Sequence, residues 1–274
     1  MKMMYVDIGE LGWSLYLSAH IRWLKQRTDN HIGVMTYIDR YCLYRNVADI
    51  IYKVPDDFCV KFNRNEASFF GIAGISNEEL KGYFVKKIPT GYKFVGYFGC
   101  YKKIKTEFKP YSYNKKLNRT KEILILPRCR NTGYCHNLRN LPKKFYIEAI
   151  NALCIKFPDY TIRAMGIPSG AYNISEIKKT NYVNDVREGA DLQDLINRCQ
   201  VIMVAIGSQS GPLKITLLQG VPTFIIGHQR KRHMKIDNWM STKAEFYGVS
   251  RNKYSSINSE DCINKIIAFV ERCQ

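Results

Sequence analysis

The sequence has no run approaching the ~18 consecutive apolar residues that a membrane span needs, no Cys-x-x-Cys pair, no internal repeat and no low-complexity tract. These absences remove spanning membrane proteins, zinc fingers, thioredoxin-like enzymes and solenoids. The nine cysteines (Cys42, Cys59, Cys100, Cys129, Cys135, Cys154, Cys199, Cys262 and Cys273) are scattered and odd in number, which argues against a disulfide framework. Cys129, Cys135 and His136 come nearest to a ligand cluster but lack a second half, so reduced thiols and no metal are expected. The opening MKMMYVDIGELGW places an acid and glycines where a secretory leader would be apolar, so a cytoplasmic location is expected.

Acidic side chains are also scarce, 24 against 42 basic ones, for a net charge of +18. The excess is local. Between Lys81 and Arg119 eleven Lys or Arg face a single acid, Glu107, and His228 to Lys235 contains none. Clustered charge of this kind concentrates polyanions near the surface, so the expected partner is anionic.

What is present supports two globular halves: 274 residues, 46% hydrophobic and 13% aromatic, suffice for two cores. Met3 to Ile8 reads as a strand, Gly9 to Gly12 as a turn, and Trp13, Tyr16, Leu17, His20, Ile21 and Leu24 recur at helical spacing. Further strands are expected at His31 to Ile38 and Ala48 to Val54, a helix at Asn77 to Phe84, and loops with short strands from Gly91 to Asn118. The second half alternates regularly. Strands are expected at Glu122 to Leu126, Tyr160 to Met165, Tyr182 to Val186, Val201 to Ile206 and Pro222 to Ile226. Helices are expected at Pro142 to Phe157, Ala190 to Cys199, Gly211 to Gln219 and Ser259 to Cys273. Near-continuous Val/Ile/Leu strands between helices mean a parallel sheet covered on both faces. The expected division is 1–118 and 119–274.

Ligands of open parallel sheets sit beyond the strands' carboxyl ends. After Val201 to Ile206, Gly207 and Gly211 permit a close turn, and Ser208 and Ser210 can cap the following helix, leaving N–H groups and a positive dipole end for a phosphate. A plain strand-to-helix turn with a serine cap accounts for the same residues. After Glu122 to Leu126, Arg128 and Arg130 leave the strand at alternate positions, followed by Arg139 and Asn140. Such arginines can fork onto phosphate oxygens, or simply be solvated surface charge.

With these residues in view, the stretch from about 120 to 230 resembles the donor-binding domain of GT-B glycosyltransferases, most of all the heptosyltransferase-like branch. The resemblance rests on Leu192 to Lys214 (LQDLINRCQVIMVAIGSQSGPLK) and on Gly220 to Thr223. It implies an α/β fold of GT-B type, two Rossmann-like domains with parallel sheets facing a central cleft, the first binding the acceptor and the second a nucleotide sugar. It also implies that Ser208, Gln209, Ser210 and Gly211 hold the donor diphosphate and that the segment around Tyr182 to Asp185, with Asn184, passes near the base or ribose; Arg128, Arg130 and His228, read as strand-exit residues, complete the expected donor site. No cofactor is implied beyond a nucleotide-sugar co-substrate, with a UDP-sugar expected. In that family a glycine and an acid end the first strand; here the pair is Gly9-Glu10, with Glu where Asp is usual. Glu10 is the expected general base, with Asp7 its nearest rival, although a Glu there also favours the helix dipole. No D-x-D motif occurs, in keeping with transfer without a metal ion.

The acceptor surface is expected from Gly9, Gly12, Trp13, Lys102, Lys103, Arg230 and Lys231. Residues 81–119 interleave cations with Tyr83, Phe84, Tyr92, Phe94, Tyr97, Phe98, Tyr101, Phe108, Tyr111 and Tyr113, a composition suited to phosphates and stacked bases. This favours a hydroxymethylated pyrimidine in DNA as acceptor, as in phage DNA modification, and with it a host cytoplasm. The same surface suits a membrane face presenting a lipopolysaccharide, capsule or lipid-linked glycan. A non-catalytic basic nucleic-acid or glycan-binding module is the alternative from another class, which the phosphate turn and Gly9-Glu10 argue against; a sugar-nucleotide epimerase shares the two-domain architecture but has no need of a polyanion-binding surface.

Overall fold

In the computed structural model the described residues are 1–9, 11–58, 77–96, 119–130, 139–228, 244–250 and 254–274. The chain separates into two units, Met1–Phe108 and Lys109–Gln274, dividing at 108 where the sequence suggests 118.

The first unit contains β1 (Lys2–Asp7), α1 (Leu11–Lys25), β2 (His31–Thr36), a 3-10 turn (Ile38–Leu43), β3 (Ile50–Lys53), α2 (Asn77–Val85) and β4 (Lys93–Gly96). Its sheet is parallel in the order β3-β2-β1-β4. Side chains of β1 alternate between faces, as the pleat requires. Met4, Val6 and Ile8 pack with Leu80, Tyr83 and Phe84 of α2, while Tyr5 and Asp7 reach His20 and Ser14 of α1.

The second unit contains β5 (Glu122–Leu126), α3 (Lys143–Lys156), β6 (Thr161–Gly166), β7 (Tyr182–Val186), α4 (Leu192–Cys199), β8 (Val204–Ser208), α5 (Gly211–Leu218), β9 (Thr223–Gly227), β10 (Ala244–Gly248) and α6 (Ser259–Glu271). All six strands are parallel in the order β10-β9-β8-β5-β6-β7. Every residue of β5, β8 and β9 is buried, which explains their largely apolar character, with Glu122, Ser208 and Thr223 the polar exceptions at their ends. Helices α3 and α6 pack together, as do α4 and α5. Ile123, Ile125, Ile206 and Phe224 share one core with α3 and α6.

Two departures from the sequence reading have physical causes. The strand expected at Val201 to Ile206 runs from Val204 to Ser208, because Val201 and Ile202 bond back to Arg198 and finish the preceding helix. β10 escapes hydropathy reading because it lies at the sheet edge with partly exposed, mixed residues, AEFYG.

Candidate functional site

The strand order in the second unit decides where a ligand can sit. The chain goes outward from β5 to β6 and β7, then returns to the other side of β5 as β8. The carboxyl ends of β5 and β8 therefore diverge into loops on opposite sides, the switch point at which open α/β sheets form a crevice. Leu126 pairs with Gly207 there, and a Cβ on Gly207 would meet the Leu126 carbonyl oxygen at 3.1 Å, so glycine permits the close approach.

Beyond β5, Arg128 is only 7% exposed. Its Nη1 donates to Asn140 Oδ1, which also accepts from the Arg130 N–H at 3.1 Å, while Asn140 Nδ2 donates to the Arg130 carbonyl at 3.0 Å. Asn140 thus clamps the arginine loop. Burial, followed by the charge of Arg139, lowers the Arg128 pKa to about 10, with Arg130 adding in the same sense. Three guanidinium groups gathered with one of them buried make an electropositive spot that an anion would relieve.

Beyond β8, the Ser210 Oγ accepts from the Leu213 N–H at 3.3 Å and caps α5. Pro212 in the first turn has no N–H, and Lys214 bonds to the Ser210 carbonyl. Among the described residues the Gly211 N–H is the first-turn donor left for a ligand. Ser208 differs from the expectation that it caps the helix: it ends β8 fully buried. Its hydroxyl lies by the buried Tyr146 phenol, and neither oxygen forms a well-aligned hydrogen bond. Burial drives the Tyr146 pKa up, so the phenol stays neutral.

Gln209 also takes a task that the sequence did not suggest. Its buried side chain folds over β9, with Oε1 accepting from the His228 N–H at 3.0 Å and from the Tyr254 hydroxyl at 3.4 Å. The His228 Nδ1 lies 3.0 Å from the same hydroxyl, and the two rings meet edge to face. His228 is thereby oriented at the β9 exit by Gln209 and Tyr254.

In the first unit the corresponding switch point lies between β1 and β4. Asp7, at the end of β1, is 1% exposed and accepts from Ser14 Oγ at 3.0 Å, Thr36 Oγ1 at 3.0 Å and Tyr44 OH at 2.7 Å. Arg40 stands 3.8 Å away and donates to the Gly9 carbonyl and to Ser14 Oγ. Both oxygens of the Asp7 carboxylate are thus engaged by side chains of the protein interior.

No protein-family model and no curated protein matches the sequence. Solved structures do match the fold. A glycosyl transferase family 9 protein from Veillonella parvula superposes with a TM-score of 0.59 at 10% identity, over 99% of this chain and 97% of its own. The E. coli ADP-heptose lps heptosyltransferase II gives 0.59 at 10% identity, over 99% of both chains. An E. coli heptosyltransferase with ADP-2-deoxy-2-fluoro heptose gives 0.61 at 8% identity, over 98% of this chain and 99% of that one. The fold is GT-B.

Within the GT-B frame the expected donor residues do not all gather. Arg128, Arg130, Ser208, Gln209, Ser210 and Gly211 converge at the β5/β8 switch point, and His228 follows the next strand, β9. Asn184 does not join them. It lies inside the edge strand β7, two strands or about 10 Å from β5, and its Nδ2 donates to Asn173 Oδ1 at 2.6 Å. Gly12 lies in the first turn of α1, as does the backbone of Trp13, whose side chain is outside the described set. Glu10, Lys102, Lys103, Arg230 and Lys231 are outside the described residues, as are Cys135 and His136. Among the described residues no three His, Cys, Asp or Glu side chains form a metal-binding group, and no helix is long and apolar enough to cross a membrane. Asn140, Tyr146, Tyr254 and Arg40 received no role from the sequence, and the one available signal was the place of Asn140 beside Arg139.

Proposed function

We propose that this protein is a glycosyltransferase that moves a sugar from a nucleotide-sugar donor to a hydroxyl of an anionic acceptor without a metal ion. The observation that carries it is the buried Arg128, grouped with Arg130 and Arg139 beside the capped α5 helix at the switch point of a GT-B fold. In this reading Arg128, Arg130, Ser210 and Gly211 hold the diphosphate, and Ser208, Gln209 and His228 shape the pocket around it. Asn184, on the edge strand β7, is assigned to the base or ribose end of the donor. Glu10 takes the proton from the acceptor hydroxyl, whose oxygen attacks the anomeric carbon. The bond to the diphosphate breaks, and the arginines neutralise the departing charge. Gly9, Gly12, Trp13, Lys102, Lys103, Arg230 and Lys231 face the acceptor.

Two acceptor classes have an observation behind them. The eleven cations and interleaved aromatics of residues 81–119 favour hydroxymethylated DNA, our leading reading. The heptosyltransferases among the structural relatives, one of them named an ADP-heptose lps heptosyltransferase, favour a lipopolysaccharide-type glycan. A transfer assay with radiolabelled ADP-, UDP- and other nucleotide sugars, offered hydroxymethylated DNA, unmodified DNA and lipopolysaccharide core side by side, tests both. Label on one acceptor names it, and Glu10→Gln should then lower turnover by roughly 10²- to 10⁴-fold while donor binding persists. Epimerised donor with no labelled acceptor, or neither transfer nor donor hydrolysis, would refute the proposal.

A further inference from the structure

Arg40 is a buried cation with no part in the chemistry above. Its side chain is 6% exposed, its guanidinium lies over the Tyr37 ring at 5.2 Å, and it reaches Asp7, Ser14 and the Gly9 carbonyl at once. Moving such a charge out of water costs several kcal/mol, and an apolar residue often packs as well in its place, so stability alone does not account for it. What the charge connects is more informative. Asp7 ends β1, Thr36 ends β2, Ser14 belongs to the first turn of α1, and Tyr44 follows the 3-10 turn, donating also to the Ser14 carbonyl at 3.2 Å. Every contact lies at the carboxyl end of the sheet, and one of them grips the main chain of the residue immediately before Glu10.

We propose that Arg40, held by Asp7, is a positioning residue that fixes the Gly9 main chain and, through it, the approach of the Glu10 carboxylate to the acceptor hydroxyl. The inference rests on Glu10 as the general base. A displacement of about 1 Å at a reacting group costs on the order of 100-fold in rate, which sets the size of the effect.

The test compares Arg40→Met, Glu10→Gln and the double variant in the transfer assay, with donor KM, kcat and thermal midpoint measured for each. Arg40→Met should lose on the order of 100-fold in kcat at unchanged donor KM. In the Glu10→Gln background it should lose nothing more, since a residue acting through Glu10 has nothing left to position. If Arg40→Met does not fold, Asp7→Asn/Arg40→Gln removes both charges together and is read in the same way. Full turnover by Glu10→Gln would overturn the general-base reading and this inference together. An inactive Glu10→Gln alongside a fully active Arg40→Met, or losses that multiply in the double variant, would overturn this inference alone.

Discussion

Arg128→Met removes a guanidinium that the folded protein holds against its own preference. The side chain is 7% exposed, and its pKa falls from 12.5 to about 10 through burial and the charge of Arg139. At about 1.4 kcal/mol per tenfold, the charged form is disfavoured by roughly 3 kcal/mol relative to water. Methionine keeps most of the volume and discards that cost, at the loss of contacts that include the charge-assisted bond to Asn140, worth about 1.5 to 3 kcal/mol. The two terms nearly offset, so the ligand-free variant should be as stable as the parent to within about 1 to 2 kcal/mol. Binding should move the other way, because a charge-assisted bond to a phosphate is worth about 1.5 to 3 kcal/mol, or roughly 10- to 100-fold in affinity. Urea denaturation without ligand and calorimetric titration with ADP and UDP measure the two quantities separately. A variant that is destabilised yet binds both nucleotides as tightly as the parent would refute the argument and assign Arg128 to the fold alone.

Three further outcomes are expected. A Cβ on Gly227 would meet the Gln209 side chain at 2.4 Å, so Gly227→Ala should push it off His228 and Tyr254 and lower stability by about 1 to 3 kcal/mol in thermal denaturation. Ser210→Ala should cost about 1 kcal/mol through the lost cap of α5, read by the same measurement. Burial lowers the His20 pKa to about 4 from an ordinary 6.5, so between those values the unfolded chain binds a proton that the folded one refuses. Stability should be fully present above pH 6.5 and fall as pH drops toward 4, by 2 to 3 kcal/mol in order of magnitude, and His20→Phe should flatten that dependence in denaturation at several pH values.

The fold was legible where burial wrote itself into composition. EILIL and TFIIG are buried throughout and apolar after their first residue, so strand, helix and strand could be read in turn, and the loops beyond their carboxyl ends with them. The site was legible only to the level of which loops. Arg128 and Arg130 stood out as charges at a strand exit, but nothing local marks Asn140 as the clamp that joins them. Ser208 and Ser210 look alike in sequence, yet the first ends the buried strand β8 and the second stands beyond it as the cap of α5. Gln209 reads as a phosphate contact until β9 and Tyr254, 45 residues away, are seen to hold it. The Asp7 and Arg40 pair is equally silent, because it joins the end of β1 to a 3-10 turn 33 residues further along the chain.

Pro212 bears on how this crevice could change over time. By removing a main-chain N–H from the mouth of α5 it leaves little there that is common to every amino acid, and under the proposed function anion recognition passes to arginine side chains. Main-chain contacts survive nearly any substitution, whereas side-chain contacts are encoded one codon at a time. A crevice of this composition can be retuned toward another leaving group, or lost, in a single mutational step.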